Sequence, residues 1–351
     1  MLIPEAPDAI TPAWLSESVQ SVAAGARASV VEVVDAHSGT TGRARLRVTW
    51  EHGDLPAAIF VKLAPTDPIQ RAMAVETGMG AREARFYDVL GREMPVRVPR
   101  PICSQWSADG RAYIMLGEDL VDAGCSFPGF ASSGDGAVVR SAVEGLARLH
   151  AAFWETPRFE ADLMWIEPPM HSPIGPQLVG AGVEQFGAEQ PQAFHEVAEI
   201  YIGHGDALAR RLAAGPHTLV HGDTHLGNFF IEEGRVGFLD WACVSKASGL
   251  RDFGYFLCSS VETDLRRAEQ ESLLRHYLEV LEACGAPAPG FDAAWRAVRG
   301  FVVTGWIAAV ATLAAGARMQ SLEVGRRAVA RSNATIEDLR TAELLREELG
   351  L

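Results

Sequence analysis

Near Glu118 the apolar residues of this chain change their period from two to 3.6, and that change limits the folds open to it. Before it, residues 43–50 alternate basic and apolar side chains, as a half-buried strand requires. Residues 28–35, 57–63 and 111–116 read as further strands, with a turn at 51–54. One helix, over 80–91, presents Ala81, Ala84, Phe86 and Leu90 to one side, after which Pro95, Pro99 and Pro101 break the pattern. Beyond Glu118, residues 138–154 carry Val139, Val143, Leu146, Leu149, His150 and Phe153 along one helical face. A Pro-rich irregular stretch at 167–176 follows, then helices over 192–214, 250–262, 264–284, 291–315 and 321–348. The expected class is α+β: a small antiparallel-sheet lobe with one helix (1–117), then a large, mostly helical lobe (118–351).

Charge and cysteine usage remove several classes of function. The formal net charge is −14, which argues against a nucleic-acid partner, whose phosphates call for clustered Lys and Arg. Five scattered cysteines with no CxxC pair give neither a disulfide framework nor a zinc knuckle, and a reducing cytoplasm fits them. The first fifteen residues lack the basic and apolar regions of a signal peptide. Residues 300–316 carry no charge but fall short of the roughly 20 residues a bilayer core needs. Arg296 and Arg299 precede that stretch and Arg318 follows, so a buried helix, with no membrane partner, is expected.

The chemistry concentrates in residues 219–241, LVHGDTHLGNFFIEEGRVGFLDW, which place His221, Asp223, His225, Asn228 and Asp240 at the ends of short apolar strands. Three readings compete: a metal-dependent hydrolase, a phosphoryl-transfer loop, or a polar turn without chemistry. A hydrolase would use His221, Asp223 and His225 as nitrogen and oxygen ligands. It needs further clusters, and His150, His171, His195, His204 and His217 lack partner spacing. Phosphoryl transfer needs a carboxylate to orient a hydroxyl, and hard oxygen ligands for Mg²⁺. Asp223 can be that base, Asn228 offers an amide oxygen five residues on, and Asp240 offers a carboxylate after the hairpin, the order found in protein kinases. Asp252, Phe253 and Gly254 also spell the kinase tripeptide, but at the start of a helix, where Asp252 is expected to cap or pin.

The pattern HGDxHxGN at 221–228, followed by a strand and Asp240-Trp241, resembles the aminoglycoside phosphotransferase and choline kinase superfamily. Residues 251–257 look most like its ecdysteroid-kinase-like and mycobacterial-type branches. The resemblance runs from about residue 30 to 320 and is strongest at 219–257. It implies a bilobal protein-kinase-like fold, Mg²⁺, and ATP, with GTP as the other donor. Under it, Lys62 on the third strand, held by Glu83, positions the α- and β-phosphates. Ser38, Gly39, Thr40, Thr41 and Gly42 form the turn over the phosphates, small enough for backbone N–H groups to approach although GxGxxG is absent. Residues 113–120 resemble the strand and hinge whose main chain, at Met115, Leu116, Gly117 and Glu118, bonds adenine. His221 is expected to fix the loop near Asp240, and His225 to orient the loop or touch phosphate.

The expected partner is a small molecule bearing a hydroxyl. Trp154, Trp165, Trp241, Trp295 and Trp306, placed in the helical lobe, suit an apolar or ring-bearing alcohol and equally suit a core. The acidic balance leaves an aminoglycoside as the alternative. A nucleotide-binding pseudokinase is a further one, opposed by the complete set Lys62, Glu83, Asp223, Asn228 and Asp240. No activation segment lies between Asp240 and Asp252, which argues against a protein substrate.

Overall fold

The computed structural model describes residues 2–39, 41–128, 135–169, 173–316 and 320–351. The chain forms two compact units, one of residues 1–126 with 237–243, the other of 127–236 with 244–351.

The first unit contains α1 (Pro12–Ser18), β1 (Arg27–Ser38), β2 (Gly42–His52), β3 (Ala58–Leu63), α2 (Pro68–Thr77), α3 (Met79–Val89), β4 (Pro101–Trp106) and β5 (Tyr113–Glu118). Its sheet is antiparallel, in the order β1-β2-β3-β5-β4. Side chains alternate between the two faces, as strand geometry demands. Ala44, Leu46, Val48, Ile59, Val61, Leu63, Ile114 and Leu116 bury one face against Leu15 and Val19 of α1. On the other face the register aligns Arg43 with Lys62 and Met115, and Arg45 with Phe60 and Gly117.

Three elements here escape a reading by periodicity, α1, α2 and β4, so the unit holds three helices where one was expected. α2 is defined by its ends: Pro68 opens it, Asp67 accepts the Gln70 N–H at 2.9 Å, and Gly78 closes it at φ 63°. β4 starts at Pro101, the residue that suggested a break; as the first residue of an edge strand, Pro costs no ladder bond. Residues 237–243 complete the unit. Trp241 is fully buried and stacks on Phe86 at 4.2 Å between centroids, so it belongs to the sheet unit rather than the helical one. The Phe238 N–H donates to the Arg97 carbonyl at 2.8 Å.

The second unit contains α4 (Gly136–Ala152), α5 (Ile174–Phe186), α6 (Gln192–Leu212), β6 (Thr218–Val220), β7 (Phe229–Glu232), β8 (Arg235–Phe238, ending in the first unit), β9 (Ser245–Ala247), α7 (Gly249–Ser260), α8 (Thr263–Ala283), α9 (Phe291–Phe301), α10 (Val303–Ala314), α11 (Leu322–Asp338) and α12 (Thr341–Leu349). β7 and β8 form a hairpin turned by Glu233 and Gly234, both at positive φ (51° and 77°), which fits the right-handed twist of the strands. β6 pairs instead with β9, a three-residue polar strand too short for a sequence signal. The apolar stretch 300–316 lies across α9 and α10, with Val302, Val303, Trp306 and Val310 fully buried. Residues 291–314 are long and apolar enough to cross a membrane by length and composition, yet 56% of their apolar window is buried within the protein. α7 is buried on nearly every side and touches α4, α9, α10 and α11, which makes it the unit's central helix.

Candidate active site

In the second unit, the loop 221–228 between β6 and β7 is fastened along one face of α7. Residues 252, 255, 256 and 260 share that face because they recur at helical spacing. Asp252, with no exposed surface, accepts the His221 N–H at 2.6 Å and the Gly222 N–H at 3.0 Å. Its carbonyl accepts the Thr224 hydroxyl at 2.9 Å. Phe256 packs on Phe229, and the Ser260 hydroxyl accepts the Leu226 N–H at 3.0 Å. Buried His150 bridges Asp252 Oδ2 (3.3 Å) and the Tyr277 hydroxyl (2.8 Å). Gly249 permits that pair, since a Cβ there would lie 2.6 Å from both His150 Nδ1 and the Tyr277 oxygen. Burial alone would raise the Asp252 carboxyl; His150, His221 and the Gly222 N–H outweigh it and hold the group below its ordinary value. Asp252 therefore holds the loop from behind.

Asp223 is the carboxylate that this loop presents. Its Oδ1 accepts the Tyr255 hydroxyl at 2.5 Å and its Oδ2 the Asn228 amide at 3.0 Å, with His225 Nε2 3.4 Å from Oδ2. The side chain remains 31% exposed. Burial again pushes its carboxyl up, but His225, Tyr255 and His221 more than offset this and keep it well below the usual carboxylate range. His221 is fully buried and its Nδ1 accepts the Asp223 N–H at 3.3 Å, so it serves the loop's own geometry. That use, and the His225–Asp223 pair, engage the side chains a hydrolase would give to metal. Among the described residues, no group of three or more His, Cys, Asp or Glu is placed to hold a metal ion. Asn228 is buried, and its amide nitrogen also donates to the Asp223 carbonyl at 2.9 Å.

In the first unit, Lys62 Nζ lies 2.5 Å from Glu83 Oε2 and 2.9 Å from Asp240 Oδ1. β3 supplies the lysine, α3 the glutamate, and the returning segment 237–243 the aspartate. Lys62 and Glu83 are buried, and Asp240 is one-quarter exposed. Burial opposes the charge of Lys62, but Asp240 and Glu83 together raise it above the ordinary lysine value. Burial likewise pushes the Glu83 carboxyl up, against the pull of Lys62. Asp240 is held at φ 63°, a left-handed conformation rare outside glycine and tolerated by Asp. Strained backbone of this kind clusters where a side chain must be aimed. Asp240 in this unit offers a carboxylate, and Asn228 in the other unit an amide oxygen; each is the oxygen type that Mg²⁺ takes.

The remaining sequence candidates are placed as follows. Ser38 and Gly42 are cross-strand partners closing the β1–β2 turn, in which the Gly39 N–H donates to the Thr41 carbonyl at 3.1 Å. Thr40 and the side chain of Ser38 lie outside the described residues. Met115, Leu116 and Gly117 pair with β3 on one side and β4 on the other, so the sheet engages their main chain. The Glu118 N–H donates to the Arg100 carbonyl at 3.0 Å. Of the tryptophans, Trp306 is buried with its N–H on Asn333, while Trp154 lines a cavity of about 440 Å³ with Leu250, Tyr277 and Phe301. Sequence reasoning missed Tyr255, although its three-residue step from Asp252 was a usable signal. It also took Arg43 only as part of an alternating strand.

A model of the phosphotransferase enzyme family (APH) matches residues 19–301. Among solved structures, a choline/ethanolamine kinase family protein from Mesorhizobium loti is 16% identical, with 92% of this chain and 93% of that one covered at a TM-score of 0.51. The GDP complex of aminoglycoside 2'-phosphotransferase-IIIa is 14% identical, with 97% and 98% covered at a TM-score of 0.50. The likeness is one of fold, which is kinase-like: an antiparallel five-stranded sheet followed by a mostly helical part. No curated protein matches the chain.

Proposed function

The chain belongs to the phosphotransferase enzyme family, and on that footing we propose that it is a Mg²⁺-dependent small-molecule kinase moving the γ-phosphate of ATP, or of GTP, to a substrate hydroxyl. The observation that carries this reading is Lys62, buried between Glu83 and Asp240, residues 21 and 178 positions away along the chain. In it, Lys62 holds the nucleotide phosphates, Glu83 steadies Lys62, and the turn at 38–42 closes over the phosphates with backbone N–H groups. The adenine contact falls at the end of β5, from Glu118 onward. Asn228 Oδ1 and Asp240 would hold Mg²⁺, which when bound neutralises charge on the phosphates. Asp223 accepts a hydrogen bond from the hydroxyl and aligns it. A carboxyl held this far below its usual range is a weak proton acceptor, so its contribution is alignment rather than early proton removal, as suits a loose phosphoryl-transfer transition state.

The substrate class we favour is a non-aminoglycoside alcohol, with an aminoglycoside as the second reading. Supporting the first are apolar cavities in the helical unit, one of about 170 Å³ lined by Tyr201, Leu208, Leu212 and Ile307. Supporting the second are the −14 charge and the aminoglycoside kinase among the similar folds. The same reading puts the protein in the cytoplasm, in keeping with five free cysteines. The test is transfer of labelled phosphate from ATP and from GTP to a panel of apolar ring alcohols, amino alcohols and aminoglycosides. Product on a ring or amino alcohol supports the first choice; product only on aminoglycosides selects the second. Nucleotide binding without any product would return the chain to the pseudokinase reading.

Tyr255→Phe should raise the Asp223 carboxyl, because it deletes the 2.5 Å hydroxyl donor and leaves the ring. The acid limb of the rate–pH profile then moves to higher pH by about one unit. An unmoved limb would show that Tyr255 does not tune Asp223.

A further inference from the structure

We propose that Arg43 is a second phosphate-binding cation of the first unit, beside Lys62, and that it makes nucleotide affinity rise with the number of phosphates. The proposal rests on the kinase reading above. Arg43, Arg45 and Arg47 occupy alternate positions on β2 and share the sheet face of Lys62, because directly paired residues of neighbouring strands point to the same side. Arg43 is the member paired with Lys62 itself. Their carboxylate partners separate the three. Arg45 Nε lies 2.7 Å from the buried Asp119, a close pair that holds it in place. Arg47 lies 3.5 Å from Asp122, with both side chains about half exposed.

Among the described residues, Arg43 has no such match of its own. Its guanidinium is 3.7 Å from Asp240 Oδ2, beyond hydrogen-bond length, and the other oxygen of that carboxylate already takes Lys62 at 2.9 Å. Asp240 is therefore shared by two cations and compensates Lys62 first. The Arg43 side chain is 49% exposed, and its Nε reaches the Thr41 hydroxyl at 3.4 Å, within the turn assigned to the phosphates. A guanidinium standing between that turn and Lys62, only loosely held, presents the forked donors that suit phosphate oxygens.

The experiment measures binding of fluorescently labelled AMP, ADP and ATP to the full chain, at low and moderate salt. Compared are the wild type, Arg43→Met, Arg43→Lys, Lys62→Met and Arg47→Met. Arg43→Met should weaken the triphosphate about tenfold and the monophosphate little, with a flatter salt dependence. Arg43→Lys should restore most of the loss, and Arg47→Met should bind all three nucleotides as the wild type does. Equal weakening for all three nucleotides would mark a structural effect and overturn the proposal. So would wild-type binding by Arg43→Met. If Lys62→Met is weakened while Arg43→Met is not, only the role of Arg43 falls. If the wild-type chain binds none of the three, the kinase reading falls and takes this proposal with it.

Discussion

Asp223→Asn should slow phosphate transfer by about 10³-fold while leaving nucleotide affinity unchanged. Three groups converge on this carboxylate: the Tyr255 hydroxyl, the Asn228 amide and His225. Each donates or can donate, so the site is built for an anion with two accepting oxygens. Asparagine keeps the shape but turns one acceptor into an NH₂ that faces a donor. The substrate hydroxyl then loses the acceptor that orients it, and the loop loses about 1–3 kcal/mol through the donor left unmatched. The nucleotide contacts proposed for Lys62 and Glu83 involve other side chains and stay intact. Initial rates on the acceptor identified by the panel, beside fluorescent-nucleotide titrations, check both halves of the expectation. A normal rate would remove Asp223 from its role.

Asp252→Ala should destabilise the second unit by about 4 kcal/mol, because it strips acceptors from two buried main-chain N–H groups and from His150 together. Thermal and urea unfolding, followed by a probe in the helical unit, measures the loss; a change under about 1 kcal/mol would contradict the role given to this carboxylate. The effect has a pH signature. The folded state holds Asp252 below its ordinary value of 3.8, so its contribution is complete above that value. It is lost as pH falls below 3.8 through the lower folded value. The wild type should therefore shed stability in acid that Asp252→Ala does not have to lose, and the gap between the two should narrow there.

Much of the arrangement could be read from the residues. The alternation at 43–50 gave β2, and with it the face that Lys62 shares. The spacing from Asp223 to Asn228 and the strand before Asp240 set the candidate groups apart from Asp252, which the structure buries behind the loop. What stayed hidden has physical reasons. α2 buries none of its residues, so it lacks an apolar stripe. β9 is three residues long and its identity comes from its partner β6. The break at Val302 falls inside an unbroken apolar run, and the break before Arg340 needs a non-glycine residue at φ 51°, which composition does not announce. Tyr255 and Arg43 take their meaning from neighbours distant in the chain, Asp223 and Asp240. No local pattern encodes such pairs.

The placement of residues 237–243 bears on how this protein must be made. As the polypeptide leaves the ribosome, the five strands of the sheet are complete by Glu118, yet Phe86 still lacks the indole that covers it and Lys62 lacks one of its two carboxylates. Both arrive only after α4, α5 and α6 have been synthesised. The amino-terminal part must wait, unfinished, through the birth of half the other unit, and a fragment cut at Ser126 would carry that incompleteness permanently.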